Sequence, residues 1–264
     1  MFLNWIYNSS PFLVTGVAVV AALLISTLGL LLTYRLRDKP TRDAHGELAG
    51  FVVTNIAVLY AVLLAFIAIA TWESYAKAID VVQTEANLAA NLSRDTVGLP
   101  ASTAELLRAE VRQYLRVVIA KEWPAQRAGR VPANGWTNLA RIHGEIAGMA
   151  PKSAGETVLM QEMLRGLNAL YDARSSRLGA VDGHVPAMMW FVILALGGLT
   201  IAYGWFVKAE GLISHMAMLA GLTVAVTVIL VLIVELDYPF RGTISVSTEA
   251  YEAVLHQLSA APHA

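Results

Sequence analysis

The sequence predicts an all-α membrane protein: four transmembrane helices in two hairpins, with a helical soluble insert between them. Three observations predict it. Charged residues make up only 15% of the 264 residues, against roughly 25% in a soluble domain, while hydrophobic residues reach 56%. The apolar residues gather in four charge-free runs, each exceeding the ~20 residues a helix needs to cross a bilayer. No strand-like alternation is sustained anywhere. The 19 basic and 20 acidic residues nearly cancel, which gives no reason to expect a nucleic-acid partner. Cysteine is absent, so disulfides, thiolate metal sites, iron–sulfur clusters and cysteine nucleophiles are excluded.

The runs cover residues 11–34, 48–72, 185–207 and 211–234. The first is read as a span and not as a signal peptide. Residues 2–10 carry no Lys or Arg, and the run exceeds the 7–15 residues of a signal's apolar region. The first hairpin, 1–72, is expected to turn at 35–47, and the second, 185–235, at about 206–213. A tail, 236–264, follows, in which Ser247 is placed to cap a helix carrying Tyr251, Val254, Leu255 and Leu258 on one face.

Residues 73–184 have ordinary soluble composition and read as helices. Ser102 and Glu105 fit a capping box after Pro100. Leu107, Val111, Tyr114, Val118 and Trp123 recur at helical spacing, and Pro124 is expected to end the run. Trp136, Leu139, Ile142 and Ile146 mark a second helix. Ser153 and Glu156 open a third, with Met160, Met163 or Leu164, Leu167, Leu170 and Leu178 apolar. Between Gly50 and Gly98 there is neither glycine nor proline, so helix can run from the second span into the insert. Over 51–97 it would be about 70 Å long.

Arg35, Arg37, Lys39 and Arg42 sit between the first two spans. The positive-inside rule puts that loop in the cytoplasm and the insert on the far side, periplasmic in a bacterial inner membrane. Lys77, Arg165, Arg174, Arg177 and Arg241 pull the other way.

On a helical wheel, Asn55, Leu59, Val62, Phe66, Ile69 and Glu73 advance by 4, 3, 4, 3 and 4. Asn55 and Glu73 are 18 residues apart, five turns at 3.6 per turn, so they share one line. Asp80 and Asn87 extend it at heptad spacing. With several copies around an axis this stripe makes rings: Asn55 as a polar ring, Val62, Phe66 and Ile69 as a hydrophobic gate, Glu73 and Asp80 as acidic rings. Acidic rings favour cations, and apolar rings gate by dewetting. The plain alternative is a packing stripe whose Glu73 lies at the interface and pairs with Lys77.

Asn55 and Tyr60 are also read as interhelical hydrogen-bonding groups. His215 is read as an interfacial residue that can titrate. Trp5, Tyr34, Trp72, Trp190, Tyr203 and Trp205 fall near span ends and read as aromatic belts. After the fourth span, Asp237, Tyr238, Pro239, Phe240, Arg241 and Gly242 form a structural turn, with Asp237 expected to pair with Arg241 or accept from amides around Pro239. That segment holds too few oxygen ligands for a metal. His45, His143, His184, His215, His256 and His263 have no ligand-like spacing. Phosphate-binding loops, HExxH and G-x-S-x-G are absent, so no enzyme and no cofactor is expected. The span centres carry no charge, which argues against a proton relay.

Several motifs taken together resemble the DUF4239 family of bestrophin-like membrane proteins. They run from Leu59-Tyr60-Ala61-Val62-Leu63-Leu64-Ala65-Phe66 and Trp72-Glu73 through Glu85-Ala86-Asn87, Arg94-Asp95 and Leu99-Pro100. They continue with Glu122-Trp123-Pro124, Ala173-Arg174-Ser175-Ser176-Arg177-Leu178, Leu236 to Gly242 and Val246-Ser247, so the resemblance spans about 59–251. It implies a bestrophin-like layout: a pentameric channel with four membrane helices, a cytosolic helical domain and a second membrane helix lining the pore. The calcium-binding acidic cluster of animal bestrophins is missing here, where only Arg241-Gly242-Thr243 follows.

The expected function is a homo-oligomeric ion channel lined by the second span, leaning to cations through its acidic rings. Its partners are the lipid bilayer, further copies of itself and permeant ions. The alternatives are an anion channel, as in bestrophins, and a non-conducting membrane sensor or scaffold.

Overall fold

The computed structural model describes residues 6–7, 9–36, 39–132, 135–182, 185–209 and 211–260, with backbone only for 39–45 and 47. Trp5, Arg37, His184 and His263 lie outside the described residues, as do the side chains of Lys39, Arg42 and His45. Among the described residues the regular structure is entirely helical. Helices α1 (Pro11–Leu36), α2 (Lys39–Arg94), α7 (Ala187–Gly204) and α8 (Leu212–Asp237) carry the four segments long and apolar enough to span a membrane. The protein is an integral membrane protein. Between α2 and α7 lie a 3-10 turn (Asp95–Gly98), α3 (Ala101–Val117), a π turn (Val118–Glu122), α4 (Trp123–Arg127), α5 (Gly135–Ala147) and α6 (Ala154–Gly179). Helix α9 (Glu249–Ala260) follows α8.

The chain divides into two units, and α2 contributes to both. The membrane unit comprises Met1–Ser74, Gly183–Asp237 and Gly242–Ile244. Its outer faces are apolar, Phe12, Leu24, Leu28 and Phe191 among the exposed residues, because hydrocarbon replaces water around them. Its small core joins Tyr60, Leu64 and Ile67 of α2 to Ile193 of α7 and Val226 and Ile233 of α8. Helix α1 packs along α8. Two glycines permit close approach. A Cβ at Gly29 would lie 2.2 Å from the Trp205 ring, and one at Gly197 would lie 2.7 Å from the Tyr60 hydroxyl. Trp205 is therefore seated over α1.

The buried threonine hydroxyls of this unit bond to carbonyls of their own helices. Thr200 and Thr227 donate to carbonyls four residues back. The Thr223 hydroxyl lies 2.8 Å from the Leu219 carbonyl and 3.1 Å from Ser26 Oγ on α1. His215 is buried. Its Nε2 lies 2.8 Å from the Gly204 carbonyl, so Nε2 carries the proton and Nδ1 faces the Tyr34 hydroxyl at 3.4 Å.

The second unit comprises Tyr75–Asp182, Tyr238–Arg241 and Ser245–Ala264. Ala78, Val82, Ala86 and Ala89 of α2 meet Leu107 and Val111 of α3, Leu139, Ile142 and Ile146 of α5, and Met163, Leu167 and Leu170 of α6. Trp123 packs edge-on against Phe240, centroids 5.4 Å apart, and against Tyr251 of α9 at 5.7 Å.

Several local expectations are corrected. The hairpin expected at 35–47 is far shorter, since α2 begins at Lys39, where Pro40 needs no N–H partner. The capping box at Ser102 does not form, because α3 begins at Ala101 and the Pro100 carbonyl accepts the Ala104 N–H at 2.9 Å. Pro124 does not end its run; the wider π turn before it accommodates the missing N–H and helix resumes to Arg127. The cap of α9 is Thr248, one residue after Ser247; its carbonyl accepts the Tyr251 and Glu252 N–H groups and its hydroxyl donates to the Glu252 carboxylate at 2.6 Å. Ser153 caps α6 as expected, accepting the Glu156 N–H at 3.1 Å.

The turn after α8 is held by backbone bonds from Arg241 N–H to the Tyr238 carbonyl and from Val246 N–H to the Pro239 carbonyl. Asp237 Oδ1 accepts the Val185 N–H at 2.9 Å, a partner that neither expectation named. Gly242 has φ +83°, and a Cβ there would lie 3.2 Å from both Glu235 Oε2 and the Tyr7 ring. Gly242→Ala is expected to destabilise the protein by about 1–3 kcal/mol, from strain at positive φ. Thermal unfolding in detergent checks it; an unchanged midpoint would show that the turn relaxes freely.

Candidate ion-pathway face and buried charge network

Helix α2 has two distinct faces. Tyr60, Leu64, Ile67, Thr71, Ala78, Val82, Glu85, Ala86 and Ala89 are buried. The other face carries the predicted line. Val62, Phe66 and Ile69 are 50%, 68% and 55% exposed, and Asn55, Leu59, Glu73, Asp80 and Asn87 are exposed with them. The buried stripe turns inwards along the helix, and this line lies largely at the surface. Asn55 bends back and donates to the Phe51 carbonyl at 2.8 Å, so its amide serves its own helix instead of a neighbouring one. Glu73 and Lys77 are both exposed and form no ion pair with each other. Beside the line, Leu63, Phe66, Ile67, Ala70 and Thr71 border an apolar crevice of about 350 Å³ with Val185 and Met189.

The second unit encloses a charge network that periodicity does not reveal. Glu85 of α2, Glu122 of the π turn, and Arg174 and Arg177 of α6 are all 0% exposed. Arg174 and Arg177 stand three residues apart, so they leave α6 on one face. Arg177 is the hub. Its Nε donates to Glu85 Oε2 at 2.7 Å and its Nη2 lies 3.0 Å from Glu85 Oε1. The same Nη2 lies 2.7 Å from Glu122 Oε2, and Nη1 donates to Gln126 Oε1. Tyr114 donates its hydroxyl to Glu85, and Arg177 lies 5.9 Å from the Tyr251 ring centre. Arg174 donates to Glu122 and rests 4.1 Å over the Trp136 ring, which stacks on Tyr171. Gly135 gives its N–H to Glu122 Oε1 at 2.8 Å; a Cβ there would lie 2.4 Å from that oxygen, so only glycine fits.

Two carboxylates and two guanidiniums balance in charge, which permits burial of ions that would each be costly alone. Burial pulls the Glu122 carboxyl up, but Arg177 and Arg174 outweigh it and hold the group below its ordinary value. Burial and the Glu85 carboxylate push the Tyr114 and Tyr251 hydroxyls well above the ordinary tyrosine range. Helical spacing marks Tyr114 only as an apolar position. The four ions fall within the motifs of the family resemblance, which assigns them no role. The legible signal is a carboxylate, Glu85, within the alanine stripe of α2.

Residues 20–251 match the Bestrophin-like domain family, and the chain belongs to that family. The fold is similar to that of a bacterial bestrophin homologue from Klebsiella pneumoniae carrying a leucine-to-threonine mutation, with TM-score 0.71 and 13% identity, over 92% of this chain and 99% of that one. Another structure of a Klebsiella pneumoniae bestrophin homologue, solved by zinc phasing, gives TM-score 0.69 and 15% identity over 90% and 96% of the two chains. Comparison with curated proteins finds no significant match.

Arg177→Ala leaves Glu85 and Glu122 without their shared cation and is expected to cost about 3–5 kcal/mol of stability. Chemical unfolding followed by circular dichroism measures it, and a loss under about 1 kcal/mol would contradict the assignment. Because the Glu122 value is lowered on folding, its contribution is present above the ordinary carboxylate range and is lost as pH falls through the lowered value. Glu122→Gln is therefore expected to flatten the acid side of the stability–pH profile.

Proposed function

We propose that this protein is a homo-oligomeric ion channel of the DUF4239 branch of the bestrophin-like family, with α2 lining the pore. The observation that carries the reading is an exposed line on α2, polar at Asn55, apolar through Val62, Phe66 and Ile69, and acidic at Glu73 and Asp80. Membership of the bestrophin-like family supports a channel over an enzyme. A ring of Val62, Phe66 and Ile69 excludes water when narrow and so gates conduction. Rings of Glu73 and Asp80 concentrate cations, so we infer a cation preference. The assembly is a pentamer by the bestrophin resemblance. Asp237, Pro239, Phe240 and Gly242 serve as the structural turn after α8. By the basic residues between the first two spans, the second unit lies on the periplasmic side of a bacterial inner membrane. Protease access to a tag near residue 130 tests that orientation.

Purified protein in liposomes, under separate potassium and chloride gradients, tests the channel. A potential that follows potassium is the expected result. One that follows chloride replaces the cation reading with the anion reading of the bestrophin analogy. No flux from assembled oligomers, or a stable monomer, replaces both with a sensor or scaffold.

Glu73→Gln is expected to lower the potassium-to-chloride permeability ratio several-fold, read from reversal potentials; an unchanged ratio removes Glu73 from selectivity. Phe66→Ala is expected to raise open probability by widening the apolar constriction, read in single-channel records.

A further inference from the structure

We propose that Glu85 and Arg177 are positioning residues for the ion pathway: their two-point ion pair sets the rotation of α2 about its own axis and so keeps Asp80 and Asn87 on the outward line. The inference rests on the reading of α2 as the pore-lining helix. The reason lies in what else holds α2 within the second unit. Its buried face there is Ala78, Val82, Ala86, Ala89 and Ala90, with Leu92 beyond. Alanine ridges are shallow, and a helix packed through them meets little steric resistance to turning or sliding. Glu85 is the directional contact on that face.

The pair is built to resist rotation. Nε and Nη2 of Arg177 address the two oxygens of Glu85 at 2.7 and 3.0 Å. Two parallel bonds from a planar guanidinium constrain angle as well as distance. The guanidinium cannot follow a turning helix, because Glu122 also holds Nη2 at 2.7 Å and Gln126 holds Nη1. Tyr114 holds Glu85 from α3. At 100° per residue, Asp80 lies about 140° from Glu85 around the helix and Asn87 about 160°, within about 20° of one another on the opposite side. Both are exposed. A carboxylate anchored inwards thus dictates where the acidic ring stands.

The sequence has no cysteine, so single cysteines report cleanly. The experiment places Asp80→Cys, Gln83→Cys and Thr84→Cys singly in the full-length protein and in an Arg177→Lys background. Rates of reaction with a charged thiol reagent are measured in detergent and in liposomes. Lysine keeps the charge and loses the two-point geometry. The expected result is a changed order of reaction rates among the three positions in the Arg177→Lys background. Alongside it, Asp80→Asn is expected to alter the potassium-to-chloride permeability ratio several-fold in the otherwise native protein and less than twofold with Arg177→Lys present. Permeability ratios do not depend on how many channels fold, so simple loss of protein does not imitate this coupling. Glu85→Asp, shorter by one methylene, serves as the second background if Arg177→Lys fails to assemble. Identical cysteine patterns in both backgrounds overturn the positioning role. An unaltered Asp80→Asn effect overturns it as well. A changed cysteine pattern in a protein that never conducts overturns the channel reading while leaving the rotational anchor standing.

Discussion

A guanidinium removed from water must be met on every side, and Arg177 meets that condition with four elements of the chain. Glu85 comes from α2, Glu122 from the π turn, Gln126 from α4, and the Tyr251 ring from α9. The second unit is organised around this requirement. Glu122 at the end of the π turn and Trp123 at the start of α4 are both buried, Glu122 against the charges and Trp123 against the Phe240 and Tyr251 rings. Gly135 is small because Glu122 and Arg174 occupy the space a side chain would take. Such a network is a weak source of net stability, since desolvation offsets much of the attraction, but losing any one charge strands the others. It ties α2, the π turn, α4 and α6 to one another at fixed points.

The membrane unit obeys a different constraint. Without water, backbone and hydroxyl groups must find partners within the bundle, and apolar contact with lipid costs nothing. Its helices are therefore apolar all round, and their packing is carried by small residues and local bonds. Gly29 admits Trp205, Gly197 admits Tyr60, and Ser26 meets Thr223. The exposed line on α2 stands apart in being polar at its ends and apolar between them. The two regimes meet in one helix, whose buried stripe changes from Tyr60, Leu64 and Ile67 to alanines around a carboxylate.

Much of this architecture is legible in the order of the residues. Charge-free runs of span length mark membrane helices because few other environments tolerate them. The absence of glycine and proline between Gly50 and Gly98 permits an unbroken α2, and the helix runs unbroken to Arg94. The insert's apolar positions, Leu139, Ile142 and Ile146 in particular, are all at 0% exposure as helical spacing requires. The expectations that fail cluster where a local rule meets a competing backbone option. Pro124 has the chemistry of a stop, but the π turn absorbs it. Ser102 has the chemistry of a cap, but Pro100 already supplies the first carbonyl. The turn expected at 35–47 is too long, because charge marks the limit of a span and not the limit of a helix.

By itself the sequence determined the helical class, the four spans, the continuity of α2 and the line of residues that share one of its faces. These follow from residue type and from the 3.6-residue repeat, which act within a single element. Only the tertiary structure decided that Glu85, Glu122, Arg174 and Arg177 come together, that His215 is buried between Tyr34 and Gly204, and which face of α2 remains outward. Charge pairing of residues up to 92 positions apart depends on how helices are brought side by side. No periodicity within one helix carries that information.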